Sequence, residues 1–93
     1  MHIAYLEITI RLAWAHSLKE KRAEIKRLLA KMRNQFNASA AEAVRQDEHQ
    51  NAVLAVALLA ANHALGDSMM DGILAWVEAN TEGEVVDVLR EYR

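Results

Sequence analysis

The chain predicts an α+β sandwich, a four-stranded antiparallel sheet with two helices on one face. Three observations predict it. Residues 4–12 alternate between apolar and polar side chains, the period of a half-buried strand. Residues 17–35 and 64–79 repeat apolar side chains at helical spacing. The six segments follow the order β-α-β-β-α-β within 93 residues. Two right-handed split β-α-β units in that order close into the ferredoxin-like arrangement. That length suits one domain, residues 1–93, with one modest core.

In the first strand, Ala4, Leu6, Ile8, Ile10 and Leu12 fall on one side and Tyr5, Glu7, Thr9 and Arg11 on the other. The first helix carries its apolar stripe at Leu18, Ile25, Leu28, Leu29 and Met32, closed by Phe36. Asn37 tolerates the left-handed conformation that ends a helix. Residues 38–45 form a weaker, Ala-rich strand with Val44 as its large aliphatic. Residues 46–50, Gln-Asp-Glu-His-Gln, read as a polar turn. Residues 52–60 are an unbroken apolar run of strand length, although their Ala content also leaves a helix open. The run is apolar at both parities, so either Val53, Ala55, Ala57 and Leu59 or the alternate set faces away from the helices. The second helix shows a stripe of Leu65, Met69, Ile73 and Trp76, with Gly72 inside it as a candidate for close approach to the sheet. Thr81-Glu82-Gly83 is a turn, and residues 84–92 form the last strand through Val85, Val86, Val88 and Leu89.

Composition excludes several classes. Apolar content of 53% and charged content of 26% are globular values. The absence of Cys removes disulfides and thiolate metal sites. There is no apolar run of membrane-spanning length and no leader-like start, so a cytoplasmic protein is expected. G-x-S-x-G and P-loop motifs are absent, as is a nucleophile-and-base pair. A non-enzymatic protein without cofactor is therefore expected. His16 and His49 share one end of the fold with Asp47 and Glu48, but their spacing matches no ligand motif, and no metal is expected.

The net charge of −2 is unevenly spread. Residues 17–36 hold seven of the eleven Lys and Arg against two acids, a net of +5, which leaves −7 elsewhere. At 100° per residue from Leu18, Lys19, Arg22, Lys26 and Arg33 fall at about 40–100°, with no acid among them. Glu20, Glu24, Arg27 and Lys31 lie opposite as a solvated ion-pair face. Ser17 and Glu20 form an S-x-x-E capping box in which each side chain reaches the other's backbone N–H. Lys19, Lys21 and Arg22 crowd a first turn where the helix dipole favours negative charge. Backbone N–H groups, dipole and cations together make an anion site. The candidate phosphate contacts are therefore Ser17, Lys19, Lys21, Arg22, Lys26 and Arg33. The topology brings the hairpin residues Gln46, Asp47, His49 and Gln50 to the same end.

The third strand has no aromatic side chain, so base stacking on the sheet is disfavoured. An apolar open sheet face instead suggests a second copy, a homodimer. A ligand-sensing or scaffolding dimer is the alternative to an RNA-binding module.

Ser17 through Arg22, then Arg33, Phe36-Asn37, Ser39, Ala41-Glu42, Gln46-Asp47, Gln50 and Ala52-Val53-Leu54 carry a family likeness. Over essentially its whole length the chain resembles the YlxP-like bacterial proteins of unknown function. The resemblance implies a ferredoxin-like fold. Such proteins are often encoded beside translation-initiation and ribosome-maturation factors, which implies an RNA- or ribosome-linked role. The Ala-rich second strand and Val44-Arg45 depart from the family pattern.

Overall fold

The computed structural model describes residues 1–43 and 50–93. Its elements are β1 (His2–Arg11), α1 (Leu18–Gln35), β2 (Ser39–Glu42), β3 (Asn51–Ala60), α2 (His63–Asn80) and β4 (Glu84–Tyr92). The sheet runs β2-β3-β1-β4, antiparallel throughout. This is the ferredoxin-like order that the sequence predicts.

Strand β1 lies between β3 and β4, and its alternation is the cleanest in the chain. Ala4, Leu6, Ile8 and Ile10 are fully buried towards the helices. Each larger one contributes about 1.5–3 kcal/mol through removal from water. The register Ala4↔Leu58, Leu6↔Val56, Ile8↔Leu54 and Ile10↔Ala52 settles the parity of β3. Its helix-facing set is Ala52, Leu54, Val56, Leu58 and Ala60, and Val53, Ala55, Ala57 and Leu59 lie on the open face.

Strand β4 reads Val-Val-Asp-Val-Leu, with apolar residues in pairs rather than in alternation. A register shift resolves the pattern. Thr9 pairs with Asp87 and Ile10 with Val85, so Val86 is an extra residue in a bulge, 48% exposed. Both Val85 and Val88 can then pack on the core.

Helix α1 ends at Phe36, whose backbone is already extended at φ −128°, one residue before Asn37. Strand β2 starts at Ser39, one residue after the predicted start, and is described to Glu42; residues 44–45 of the predicted strand 38–45, Val44 included, lie outside the described residues. The pairing of β2 with β3 stops at Ser39↔Ala57.

Helix α2 is rotated from its predicted stripe. Its buried residues are Gly66, Met70, Ile73 and Val77, while Leu65 and Met69 are 50% and 42% exposed. The close approach occurs at Gly66, where an added Cβ would meet the Tyr92 ring at 2.6–3.0 Å. At Gly72 it would meet nothing within 4 Å. Gly66 lets α2 settle onto β4, and that contact sets which side of this Ala- and Gly-rich helix faces down.

Candidate anion-binding groove on helix α1

One end of the sandwich collects the β1–α1 loop, the start of α1 and the α2–β4 turn. The Leu12 N–H donates to the Gln50 carbonyl at 2.7 Å. The Trp14 indole N–H donates to the Glu82 carbonyl at 3.1 Å. Among the hairpin candidates Gln50 is therefore at this end, and Gln46, Asp47 and His49 lie outside the described residues.

Helix α1 starts as a capped helix. Ser17 Oγ accepts the Glu20 N–H at 3.2 Å. The return bond differs from the expected box: Glu20 Oε1 takes the N–H of His16, at 3.2 Å, rather than that of Ser17. Ser17 is thus occupied in capping. Replacing it with Ala should cost about 1 kcal/mol. A urea melt showing no loss would mean that something other than the hydroxyl caps the helix.

The six basic-segment candidates do not share one environment. Lys19, Arg22, Lys26 and Arg33 are exposed. Lys21 is fully buried, with its Nζ 3.0 Å from Glu42 Oε2. A phosphate arriving from solvent therefore meets the other four cations and not Lys21. The signal was present in the spacing: at 100° per residue Lys21 falls at about −60°, inside the apolar stripe. Its aliphatic stem fills that stripe while the ammonium reaches the helix-facing Glu42 on β2.

Arg22, Lys26 and Arg33 line a groove of about 320 Å³ between α1 and β2, with Ile25 and Leu29 as apolar lining and Glu42 as its acid. Glu42 is engaged by Lys21, which offsets its charge. Arg33 also donates from Nη2 to the Ala40 carbonyl on β2. The groove thus has three cations spaced along one helix flank, over a hydrocarbon base. Cations in such a row, with apolar surface beside them, suit a chain of phosphates carrying sugars or bases.

The opposite face of α1 is not the solvated ion-pair face expected. Glu24 is 5% exposed. Arg27 donates to both its oxygens, each at 2.8 Å, and the Glu82 N–H donates to Oε2 at 2.9 Å. Arg27 also donates to the Asn80 carbonyl at 2.9 Å. Burial would push the Glu24 carboxyl up. The hydrogen bonds from Arg27 and Glu82, with the guanidinium charge, outweigh it and hold the carboxyl below its ordinary range. This cluster ties α1 to the α2–β4 turn and is structural.

On the open sheet face the Tyr5 hydroxyl donates to Glu7 at 2.7 Å, and the Arg93 guanidinium lies 4.2 Å over the Tyr5 ring. The hydrogen bond to Glu7 raises the Tyr5 hydroxyl above its ordinary pKa. The ring face is covered, which fits poorly with base stacking. No group of three or more His, Cys, Asp or Glu among the described residues is placed to hold a metal. No helix among them is long and apolar enough to cross a membrane.

Comparison with known proteins gives three findings. A family model described as "Protein of unknown function (DUF503)" matches residues 3–90. The uncharacterized protein YlxP of Bacillus subtilis (strain 168) is 34% identical over 70 residues, 75% of this chain and 76% of that protein. The NMR structure of a de novo designed protein with a ferredoxin fold superposes with a TM-score of 0.59 at 17% identity, covering 100% of this chain and 86% of that one. The last likeness concerns the fold alone.

Proposed function

The chain belongs to the DUF503 family of proteins of unknown function, so its role has to be read from its own surface, and we propose that it is a non-enzymatic, cytoplasmic module that binds structured RNA, the ribosome included, through phosphate contacts in the α1–β2 groove. The observation that carries this reading is the row Arg22, Lys26 and Arg33 along one groove, with Lys19 exposed on the same flank. The surrounding body is acidic, so an anion drawn to this protein is drawn to that flank. With three or four phosphates neutralised, log K against log salt should fall with a slope of roughly −2 to −4. Substituting Ala for both Arg22 and Lys26 should bring the slope up by roughly 1.5–2 while the melting temperature stays near the wild type's. Fluorescence anisotropy with a labelled RNA hairpin over a salt series measures both. Affinity indifferent to salt would remove the proposal.

A second reading, a homodimer acting through the open sheet face, draws on a different surface. Ile3 and Leu59 face each other across β1 and β3 and are 41% and 63% exposed. Leu89 on β4 adds an apolar side chain at 41% exposure. A dimer there should bury on the order of 1,000 Å² or more. Because Ala57 pairs with Tyr5 on the open face, Ala57→Glu leaves the core intact. Sedimentation velocity should show a wild-type dimer and a folded Ala57→Glu monomer. A wild type that stays monomeric at high concentration overturns this reading and leaves the RNA reading standing.

A further inference from the structure

At the end of the sheet away from the basic groove's capped start, β2 starts at Ser39 opposite Ala57 while β3 runs on to Ala60, and this leaves a cavity. It lies between the chain leaving α1 (residues 36–39), the end of β3 (residues 57–59) and one side of α2 (residues 68–73), with Ile3 of β1 at its mouth, where it meets the open sheet face. Its volume is about 680 Å³, within the span of about 300–1,000 Å³ common for small-molecule sites.

Three features point to a ligand. The first is Gly72. It stands inside α2, where glycine favours the helix less than alanine does. Nothing lies within 4 Å of an added Cβ, so no packing contact requires it. Gly66 in the same helix has such a reason, in the Tyr92 ring, and Gly72 does not. What the missing side chain does is keep the cavity wall open. The second is charge. No described lining residue is Asp, Glu, Lys, Arg or His, so an ionic group would enter without a counter-charge. The third is the polar rim. Asn37, Ser39 and Ser68 line the cavity and make no side-chain hydrogen bond among the described residues. Their donors and acceptors are open to a guest.

The geometry also speaks against an added peptide strand. The β2–β3 ladder ends at Ala57, and β3 ends at Ala60. Three residues of free edge are too few for a strand to pair on. The concave, half-enclosed volume suits a compact molecule instead.

We propose that this cavity binds an uncharged, predominantly apolar small molecule carrying one hydrogen-bonding end, seated against Gly72 with that end at Asn37, Ser39 and Ser68. The site is separate from the α1–β2 groove and does not depend on the RNA reading.

The neutral fluorophore N-phenyl-1-naphthylamine serves as the probe, titrated into the full chain. Saturable binding of one dye per chain is expected for the wild type. Gly72→Leu places a side chain in the open space and should weaken dye binding at least tenfold, with a melting temperature equal to or above that of the wild type. Met69→Glu brings a charge to the mouth at a position 42% exposed, where the fold tolerates it, and should weaken binding similarly. Val86→Lys, in the β4 bulge at the other end of the sheet, should bind as the wild type does. The proposal is overturned if the wild type shows no saturable binding. Dye binding unchanged in a folded Gly72→Leu or Met69→Glu variant also overturns it, as does loss of binding in Val86→Lys alone, which would put the dye outside the cavity.

Discussion

Replacing Gly83 by alanine should destabilise the domain by about 3 kcal/mol. An added Cβ there would lie 2.6 Å from Ile10 Cγ2, 2.6 Å from Leu12 Cδ2 and 2.7 Å from the Arg11 carbonyl oxygen. The two side chains are fully buried core residues and the third atom is backbone. None of the three can step aside without moving the end of β1. For a domain of this size the loss corresponds to a fall in Tm of roughly 12–20 °C. Gly72→Ala should move Tm in the opposite direction, because a helical residue with open space around it gains about 0.5–1 kcal/mol from the exchange. Thermal melts of the two variants beside the wild type check both signs. A Gly83→Ala protein within 1 kcal/mol of the wild type would show that the α2–β4 turn shifts freely.

Glu24→Ala should cost a similar amount, about 3 kcal/mol. The change strips Arg27 of a two-pronged partner and leaves the Glu82 N–H without its acceptor. The cost stays at the lower end for a buried ion pair because the Arg27 side chain is 35% exposed and can turn to water. The loss should depend on pH. The Glu24 carboxyl is held below its ordinary value of 4.5 in the folded protein. A carboxyl lowered on folding contributes its stability above the unfolded value and loses it as pH falls through the folded one. The stability gap between the wild type and Glu24→Gln should therefore be constant from pH 7 down to about 5. It should then narrow as the medium becomes more acid than the ordinary carboxylate value. Urea titrations at pH 7, 5 and 3 measure it. A gap that widens towards pH 3 would show that the carboxyl is not stabilised in its charged form.

Legibility from the sequence followed how narrowly each side chain's surroundings are specified. In β1 the alternate positions Ala4, Leu6, Ile8 and Ile10 are all apolar, and the reading of its buried face holds residue by residue. In β3 both parities are apolar, so the pattern identifies a strand without saying which face turns inward; pairing with β1 decides it. The paired valines of β4 needed a bulge, and a strictly alternating reading has no place for one. The stripe that periodicity predicts for α2 differs from its buried face by about a quarter-turn, because its small residues make every side passably apolar. Steric access at Gly66, not hydrophobicity, chose the face. In the candidate groove, Arg22, Lys26 and Arg33 were legible from helical angle and absence of acids. Lys21 lies by the same angle inside the apolar stripe, although its charge alone places it with the other cations. The partner that made its burial possible, Glu42, sits on a strand far along the chain, and no local pattern links the two. The apolar cavity was beyond a sequence reading for a related reason. It arises where one strand ends before its neighbour, and the end of a strand is where patterns are weakest.

The contrast between β1 and β2 has a consequence for motion within the folded state. Backbone amides of β1 are bonded into ladders on both sides, ten residues long towards β3. Their exchange with solvent deuterium requires the whole domain to open. The described part of β2 is an edge of four residues, held on its outer side by the Arg33 contact to the Ala40 carbonyl. Its amides can exchange through a local opening that leaves the rest of the sheet intact. One wall of the α1–β2 groove is therefore an edge of the sheet that can open locally. An anion that draws Arg33 away from Ala40 releases that edge. If an anion binds there, occupancy of the groove and protection of β2 become two readings of one equilibrium.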